Sequence, residues 1–340
     1  MAVMADVLDL RQFRSSQLEA LLAAETDEWS RLLDWDYAAS ADLIRQYVEA
    51  RILPGYVLAE RSRGRATPLG YGFYIYESRK GMIGNLFVVP SGRDPARLAE
   101  RELLTHMLAT LRASPGLDRI EAQLMPFPPD ALAPCFAAEG FHSFRRIFLQ
   151  LGLRGQPPPS EAAAESAAFP GLRLEPWGSA TFEEAAQLIL QAYQHHIDSR
   201  INDQYRSFSG ALRFMHNIAH YPGCGAFDPT SSFIARSLAH PGLEGMILTS
   251  RVKPDVAHIT QICVLPERQR RGLGRALLER CLAQLRRRGL RAATLTVTAE
   301  NSPACSLYRQ LGFTTLTEFD AYVWERDLRG GASAREGLSQ

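Results

Sequence analysis

The chain has 340 residues, of which 46% are hydrophobic and 22% charged, and its formal net charge is +1. This composition is typical of a folded globular protein, and the length exceeds one ordinary domain, so we expect two domains. The near-neutral charge gives no reason to expect binding to nucleic acid or to an anionic membrane. No apolar stretch is long enough to span a bilayer and the N-terminus lacks a charged-then-apolar leader, so we expect a cytoplasmic protein.

Cysteine and histidine spacing gives no sign of a disulfide framework or a metal site. The five cysteines are scattered without a C-x-x-C pair. His195-His196 and the pair His216/His220 imitate metal spacing, but no nearby carboxylate or cysteine completes a ligand set, so we expect no metal. Lys80 and Lys253 are the only lysines, a bias that reflects a GC-rich genome, and we expect a bacterial source.

The first half of the chain contains a strand, a helix and a second strand in recognisable order. Residues 86–90 form an apolar strand ended by Pro90, Gly140-Phe141 ends a helix, and residues 144–151 alternate as a strand. Residues 154–170, which begin around a triple proline and continue with Glu, Ala and Ser, lack apolar periodicity and are predicted to be a linker.

The second half repeats this order. Pro266 again ends a strand and Gly312-Phe313 again ends a helix, at offsets of 176 (266 − 90) and 172 (312 − 140) residues from the first half. Residues 319–324 alternate as residues 144–151 do. Such offsets are typical of a tandem duplication, so the sequence predicts domains at 1–153 and 171–328, a linker at 154–170 and a flexible tail at 329–340.

A glycine-containing loop joins a strand to a helix in the second half. Residues 259–265 form an apolar strand, and residues 275–285 form an amphipathic helix. The first N–H groups of a helix lack intrahelical partners and bind phosphate oxygens readily, and Gly272 and Gly274 allow close approach. A dinucleotide fingerprint would need a third glycine where this chain has Leu277, so we disfavour that class.

Gln269-Arg-Arg-Gly272-Leu-Gly274 resembles the acyl-CoA loop of the GNAT acyltransferase superfamily, whose pattern is Gln or Arg, two residues, Gly, one residue, then Gly or Ala. Asn301, Ala304, Leu307-Tyr308 and Gly312-Phe313 resemble that family's next motif. The resemblance implies an α+β or α/β fold of two tandem GNAT-like domains, each a mixed, mostly antiparallel, splayed sheet flanked by helices.

The resemblance also implies acyl-CoA as co-substrate, with acetyl the expected acyl group, and no metal. In that fold the strand before the loop splays from its neighbour and presents main-chain groups to the pantetheine. The implied cofactor-binding residues are Cys263, Val264, Gln269, Arg270, Arg271, Gly272, Leu273, Gly274, Arg275, Ala276 and Asn301. Asn301 has an equally good structural role as the cap of the following helix.

Two residues are implied as catalysts. Tyr308 lies two turns after Asn301 and is the expected general acid for the CoA thiolate; the alternative is a ring packed in the core. His258 lies eleven residues before Gln269, where some relatives carry a base, and its parity predicts that it faces the same side as Thr260 and Val264. The alternatives are a solvated edge histidine and a base that acts through water.

The polar segment 197–205 follows a predicted helix at 183–193. In GNAT folds this region often lines the acceptor pocket, so the resemblance implies that Asp198, Arg200, Asp203 and Tyr205 are substrate candidates. A solvated helix turn is the alternative for each of them.

The first half departs from the family where chemistry needs it. Residues 91–100 contain no Gly-x-Gly, Pro95 and Glu100 lie near the expected cradle, and Phe136 stands in place of the tyrosine. A carboxylate repels a diphosphate, so we expect a GNAT-like but inactive N-terminal domain.

The sequence thus predicts an N-acyltransferase that acts on an unidentified amine through its C-terminal half, as a monomer or homodimer. Two alternatives stay open. One is a non-catalytic acyl-CoA-binding regulator. The other is a tandem acyltransferase resembling mycothiol synthase, which the missing N-terminal cradle disfavours.

Overall fold

The computed structural model describes residues 5–62, 65–90, 97–155, 169–179, 181–239 and 241–326. It divides into two compact units. The first contains Met1–Ala24, Ile44–Ser143 and Asp320–Gln340, and the second contains Glu25–Leu43 and Phe144–Phe319. Most of the predicted linker 154–170, all of the predicted tail 329–340 and the segment 91–96 lie outside the described residues. The predicted domain boundaries stay a prediction.

Strands and helices alternate irregularly in the first half of the chain. The elements are β1 (Ala5–Asp9), α1 (Ser15–Leu33), α2 (Ala38–Glu49), β2 (Gly55–Ser62), β3 (Arg65–Glu77), β4 (Lys80–Val88), α3 (Leu98–Ala113), β5 (Arg119–Gln123), α4 (Ala133–Ala138) and β6 (His142–Gly152).

The second half begins with a strand and a group of helices. Its elements are β7 (Leu172–Pro176), α5 (Phe182–Ala192), α6 (Asp198–Ile201), α7 (Phe208–His220), β8 (Ala226–Phe227), β9 (Phe233–Ser237), β10 (Leu243–Lys253), β11 (Val256–Val264), α8 (Leu273–Arg287), β12 (Ala292–Thr298), α9 (Ser302–Gln310) and β13 (Thr314–Glu325).

The first unit is built on a mixed sheet in the order β1-β2-β3-β4-β5-β13, to which β13 contributes residues 321–325. Neighbouring strands are antiparallel except β4 and β5, which are parallel. Leu103, Leu104, Met107 and Leu111 of α3 are buried in a core with Ile83 and Ile120 of the sheet. One apolar helix face covering one sheet face is the usual solution for such a layer.

The second unit is built on a mixed sheet in the order β13-β6-β12-β11-β10-β9-β7, with β8 beside β10. Only β11 and β12 are parallel among the described pairings of this sheet. On one face α8 buries Leu277, Leu278 and Cys281; on the other, α5 and α7 bury Ile189 and Met215. The predicted fold class, a mostly antiparallel mixed sheet flanked by helices, is confirmed.

Strand β11 carries a bulge that separates it from β12. Leu248 of β10 pairs with Gln261 while Thr249 pairs with Ile259, so Thr260 is the extra residue. Pairing between β11 and β12 ends at Ile259 and Leu295, although β11 continues to Val264 and β12 to Thr298. The two parallel strands therefore part at the carboxyl end of β11, beside the glycine loop.

The first unit repeats this irregularity at the same relative position. Gly84 is the extra residue of β4, and pairing with β5 ends at Ile83 and Ala122. The last paired residues of the two units are 176 (259 − 83) and 173 (295 − 122) positions apart. The offset predicted from the proline and glycine positions thus recurs in strand pairing, as a duplicated fold requires.

None of the described helices is long and apolar enough to span a membrane.

Packing of α8 against the sheet can be tested at Leu277, whose side chain is fully buried. Leu277→Ala should lower the free energy of unfolding by about 2–5 kcal/mol, because it removes apolar contacts and leaves a cavity. Leu238→Ala, the same change at a side chain that is 65% exposed, should cost less than about 0.5 kcal/mol. Denaturant unfolding of both variants measures the difference; equal losses would contradict the described packing.

Candidate active site

The loop between β11 and α8 forms the N-terminal entrance of a helix. Gln269 turns back and donates from Nε2 to the carbonyl oxygen of Val264 at 3.1 Å. Gly272 has φ of 87°, a left-handed conformation that favours glycine, and α8 begins at the next residue. The first amides of α8 have no intrahelical acceptor and carry the positive end of the helix dipole. This geometry fits a bound diphosphate.

Side chains around the loop add positive charge. Arg270 and Arg271 are exposed, and Arg275 in the first turn of α8 lies 3.4 Å from Glu279 and also donates to Gln310. Leu273 and Ala276 are buried and anchor the first turn in the core. The structure thus brings the predicted residues 269–276 together at one helix terminus.

The parted edge of β11 presents main-chain groups of Ile262 and Val264. Cys263 pairs with Met246 of β10, and the Leu265 amide donates to the Glu244 carbonyl oxygen at 2.9 Å, so the main chain of Cys263 faces β10. Alternation places Ile262 and Val264 toward the opening. Sequence reasoning named Cys263 and Val264 and missed Ile262, because the bulge and the pairing parity are not visible in an apolar run.

Tyr193 and Cys263 lie near this edge. The Tyr193 hydroxyl is 3.5 Å from the Ile262 carbonyl oxygen. Cys263 has its side chain buried on the α5 and α7 side of the sheet, where burial raises the pKa of the thiol. A protonated, buried thiol is a poor nucleophile, so nothing here favours a covalent route through Cys263.

Tyr308 projects from α9 into the protein. Its side chain is 6% exposed, and its ring meets Phe313 edge-on with centroids 5.9 Å apart. Burial raises the pKa of the hydroxyl well above its ordinary value, and the negative charge of Asp198 raises it further. The Tyr308 ring is therefore packed in the core, and its hydroxyl is also close enough to Asp198 to be affected by that charge.

Asn301 caps α9, with Oδ1 accepting from the Ala304 amide at 3.3 Å. Its Nδ2 lies 3.3 Å from Nε2 of His196. The side chain thus has the structural role predicted for it and also extends the polar cluster toward Asp198.

Asp198 is the centre of a half-buried polar cluster. Its Oδ1 accepts from Nη1 of Arg146 at 3.0 Å and from the Thr298 hydroxyl, and Oδ2 lies 3.7 Å from Nδ1 of His196. Arg146, 8% exposed, is on β6, and its Nη1 also donates to Thr298 at 2.5 Å. Thr298 is the last residue of β12, so the cluster sits where β12 has parted from β11.

Two stacked tyrosines line the same region. Tyr193 and Tyr205 lie with ring centroids 4.3 Å apart, and the Tyr205 hydroxyl donates to Oε1 of Gln261 at 3.4 Å. Burial raises the pKa of both hydroxyls, and the charge of Asp198 adds to the shift in each. Predicted residues Asp198 and Tyr308 thus interact electrostatically, and Asp198 also acts on predicted Tyr205. Sequence reasoning missed Tyr193, Gln261 and Arg146, which interact with these residues.

The other two substrate candidates are less buried than Tyr205. Arg200 is exposed, with its guanidinium 5.2 Å from the ring centroid of Phe144. Asp203 is half-buried in the short turn that precedes Tyr205.

His258 lies in an aromatic core. Its ring stacks on Phe148 with centroids 5.6 Å apart and meets the edge of Trp35, and Nδ1 is 2.9 Å from the Thr294 hydroxyl. Burial lowers the pKa of the imidazole to about 3, since a cation there would lose its hydration. A neutral histidine with this pKa is a weak base at neutral pH.

The bulge also changes which side of β11 each side chain faces. Ala257, Ile259 and Val264 belong to the core under α8, whereas His258 faces Phe148 on the other side. The prediction that His258 and Val264 share one side was wrong, because the extra residue Thr260 reverses the alternation between them.

Among the described residues, no group of three or more His, Cys, Asp or Glu side chains is placed to hold a metal ion. His216 and His220 instead stack on each other along α7, with centroids 6.0 Å apart.

The first unit has different side chains at the matching places. Glu100 lies in the first turn of α3 and pairs with Arg97 at 3.1 Å, and Phe136 stacks on Tyr322 with centroids 3.8 Å apart. Phe136 precedes Tyr308 by 172 residues (308 − 136) and has no hydroxyl to donate.

Comparison with known proteins matches this geometry. A model of the acetyltransferase (GNAT) family matches residues 204–313. Residues 204–313, within the second unit, are thus similar to the GNAT family of N-acetyltransferases. The chain is 27% identical to the mycothiol acetyltransferase of Arthrobacter sp. (strain FB24) over 77% of this chain and 75% of that protein. It is 40% identical to the [ribosomal protein bS18]-alanine N-acetyltransferase of Escherichia coli (strain K12) over 24% of this chain and about half (54%) of that protein.

Solved structures extend the GNAT likeness to both units. A GCN5-related N-acetyltransferase from Sphaerobacter thermophilus has a TM-score of 0.61 at 16% identity and covers 95% of each chain. A tandem GNAT protein from the clavulanic acid biosynthesis pathway has a TM-score of 0.58 at 17% identity, over 95% of this chain and 98% of its own. At these identities the likeness concerns the fold, which is a tandem GNAT fold.

The two glycines of the GNAT loop should respond differently to alanine. Gly272→Ala should lower the free energy of unfolding by about 1 kcal/mol, because an L-residue is strained at φ of 87°. Gly274→Ala should be tolerated, since its Cβ would lie an ordinary 3.8 Å from Cγ2 of Val264. Denaturant unfolding compares the two, and a greater loss at Gly274 would contradict the described loop.

Burial of His258 predicts a pH dependence of stability. Its pKa is about 3 when folded and about 6.5 when unfolded, so the unfolded state binds the proton more tightly. The resulting stability is complete above the unfolded pKa and is lost as the pH falls from there toward 3. Between about pH 7.5 and about pH 5, wild type should lose about 2 kcal/mol more than His258→Asn. His142→Asn, at an exposed histidine, should behave as wild type; equal pH slopes in all three proteins would refute the assignment.

Proposed function

We propose that this protein transfers an acetyl group from acetyl-CoA directly to an amine, within its second unit. The observation that carries the proposal is the position of Tyr308 and Asp198. The Tyr193 hydroxyl lies 3.5 Å from the Ile262 carbonyl oxygen, and the charges of Asp198 and Tyr308 both contribute to raising its pKa. The open edge of β11 and the polar cluster are thus parts of one site.

Acetyl-CoA, when bound, supplies a thioester that an amine can attack at its carbonyl carbon, with the CoA thiolate leaving. Residues 269–276 hold the diphosphate through the α8 amides and the nearby arginines. Ile262 and Val264 hold the pantetheine and the acyl oxygen through main-chain groups of the open edge. The side chains of Gln269 and Tyr193 donate hydrogen bonds to the main-chain carbonyl oxygens of Val264 and Ile262. The main-chain amides of the same edge remain available to the ligand.

Tyr308 is the proposed general acid. Its raised pKa keeps the hydroxyl protonated at neutral pH, so it has a proton to donate to the leaving thiolate. The same burial excludes water from that proton.

Asp198 is the proposed acceptor for the ammonium proton of the substrate, directly or through water. Its Oδ1 is held by Arg146 and Thr298, which fixes the direction of Oδ2. The enclosure of His258 between Phe148 and Trp35 favours a structural role for that histidine, and Asp198 replaces it here as the proposed base.

The amine is not fixed by these residues. The names of two relatives, mycothiol acetyltransferase and bS18-alanine N-acetyltransferase, support testing both kinds of acceptor. A bacterial, cytoplasmic enzyme acting as a monomer or homodimer completes the proposal.

Loss of the Tyr308 hydroxyl tests the acid role. Tyr308→Phe should lower kcat about 10²- to 10⁴-fold while leaving the CoA affinity within about twofold, because only proton transfer is removed. Tyr221→Phe, at a tyrosine that is 53% exposed, is the matched control and should keep the wild-type rate. Thiol release measures kcat and calorimetry measures CoA binding.

Two results would count against the proposal. An unchanged rate in Tyr308→Phe would refute the acid role. Tight CoA binding by wild type with no turnover on any amine would instead favour a regulator that senses acyl-CoA.

A further inference from the structure

His196 is an ionisable side chain beside Asp198 that the proposed chemistry does not yet use. Its side chain is 28% exposed, whereas that of Asp198 is 16% exposed, and Nδ1 of the ring lies 3.7 Å from Oδ2 of the carboxylate. The ring also meets Tyr193 of α5 edge-on, with centroids 5.1 Å apart. A histidine in contact with solvent thus adjoins the carboxylate that is proposed to accept a proton.

Both ring nitrogens of His196 face a hydrogen-bond donor. Nδ1 accepts from the main-chain amide of Asp198 at 3.1 Å. Nε2 lies 3.3 Å from Nδ2 of Asn301, whose orientation is set by the helix cap, since Oδ1 of Asn301 accepts from the Ala304 amide at 3.3 Å. An amide nitrogen has only protons to offer, so Asn301 is a donor toward the ring.

A neutral imidazole cannot satisfy both donors, because it has one lone pair and one N–H. With the proton on Nε2, the ring accepts from Asp198 and its N–H faces the Asn301 amide. With the proton on Nδ1, the ring accepts from Asn301 and its N–H faces the Asp198 amide. Each tautomer has one favourable and one unfavourable contact, so neither is strongly preferred. Such a ring can take up a proton at one nitrogen and release a proton from the other.

A proton on Nδ1 also changes the contact with Asp198. It removes the acceptor of the Asp198 amide and provides a charged donor for Oδ2 of the same residue. Attraction between imidazolium and carboxylate favours the approach of the two side chains. Histidine takes up and releases protons near neutral pH more readily than other side chains do.

We propose that His196 carries the ammonium proton of the acceptor from Asp198 to water. Oδ2 of Asp198 takes the proton, which leaves a neutral amine with a free electron pair. Oδ2 then passes the proton to Nδ1 of His196 as the two atoms approach from 3.7 Å, which restores the carboxylate. The imidazolium gives its Nε2 proton to water, and proton exchange with water restores the starting tautomer. This inference rests on the proposed function, because it assigns the route by which that site loses a proton.

His196 also has a structural role that the test must separate from the relay. Its Nδ1 accepts from the amide two residues later, as the side-chain oxygen of asparagine does in an Asx turn. His196→Asn can keep this hydrogen bond through Oδ1 but cannot carry a proton. His196→Ala removes the hydrogen bond and the ionisable group together.

The first test measures thiol release by the full chain with acetyl-CoA and a panel of amino acid amides, amino sugars and polyamines. On the amine that wild type acetylates fastest, His196→Asn and His196→Ala should each lower kcat about ten- to hundredfold, because the proton leaves Asp198 slowly. CoA affinity by calorimetry should stay within about twofold of wild type in both. His195→Asn should keep the wild-type rate, since His195 is exposed and its φ of 63° suits asparagine.

The second test adds imidazole to the same assay at constant pH and ionic strength. Imidazole should raise kcat of both His196 variants at least about fivefold, because a base in solution takes over the proton from Asp198. Wild type should stay unchanged, since it has its own relay. Tyr308→Phe should also stay unchanged, since it lacks a proton donor and not a proton acceptor. Reactions without protein correct for direct acetylation of imidazole.

The outcomes separate this inference from the proposed function. A wild-type rate in His196→Asn with a loss in His196→Ala assigns His196 to the turn alone and overturns the relay. Loss in both variants without rescue by imidazole also overturns it, and in either case the proposed function stands. If CoA binds and wild type acetylates no amine of the panel, the proposed function fails and takes the inference with it. CoA binding shows which variants are folded, and either one alone suffices for the rescue test.

Discussion

The bulge at Thr260 is the constraint on which the site depends. An extra residue in β11 turns the strand away from β12, and the parallel pairing stops at Ile259 and Leu295. Main-chain groups that would otherwise complete the sheet then face an opening, where each needs a partner. Gln269 and Tyr193 meet the carbonyls of Val264 and Ile262, which leaves the amides as donors at an edge that leads directly to the N-terminus of α8.

A second consequence is that charge is concentrated where the strands part. Thr298 ends β12, and its hydroxyl joins Arg146 and Asp198 in one hydrogen-bonded group. Around it, burial and the charge of Asp198 keep the hydroxyls of Tyr193, Tyr205 and Tyr308 protonated. Three buried hydroxyl groups that can donate protons are thus held near the half-buried carboxylate of Asp198. The first unit has the bulge and the parting as well, but Phe136 and Glu100 replace the groups that chemistry would need.

The sequence predicted what depends on local pattern. The strand before Pro266, the glycine loop, the helix after it and the Asn301 cap are encoded by short runs of residues, and so is the repeat, which recurs in strand pairing. The sequence could not predict which residues of a strand turn their main-chain groups toward the opening, or which residues far apart in the chain come into contact. The alternation of an apolar strand conceals a bulge, so Cys263 was named in place of Ile262. Arg146 lies on a strand that was correctly predicted, yet only the fold places it beside Asp198, 52 positions later.

The central claim is that acetyl-CoA occupies the opening of the second unit, with its reacting end at Tyr308. A crystal structure of the full chain with CoA tests this most directly. The account predicts the diphosphate on the amides at the start of α8, the pantetheine along Ile262 and Val264, and the thiol sulfur within hydrogen-bonding distance of the Tyr308 hydroxyl. CoA bound to the first unit, or bound at α8 with its thiol directed away from Tyr308, would contradict it.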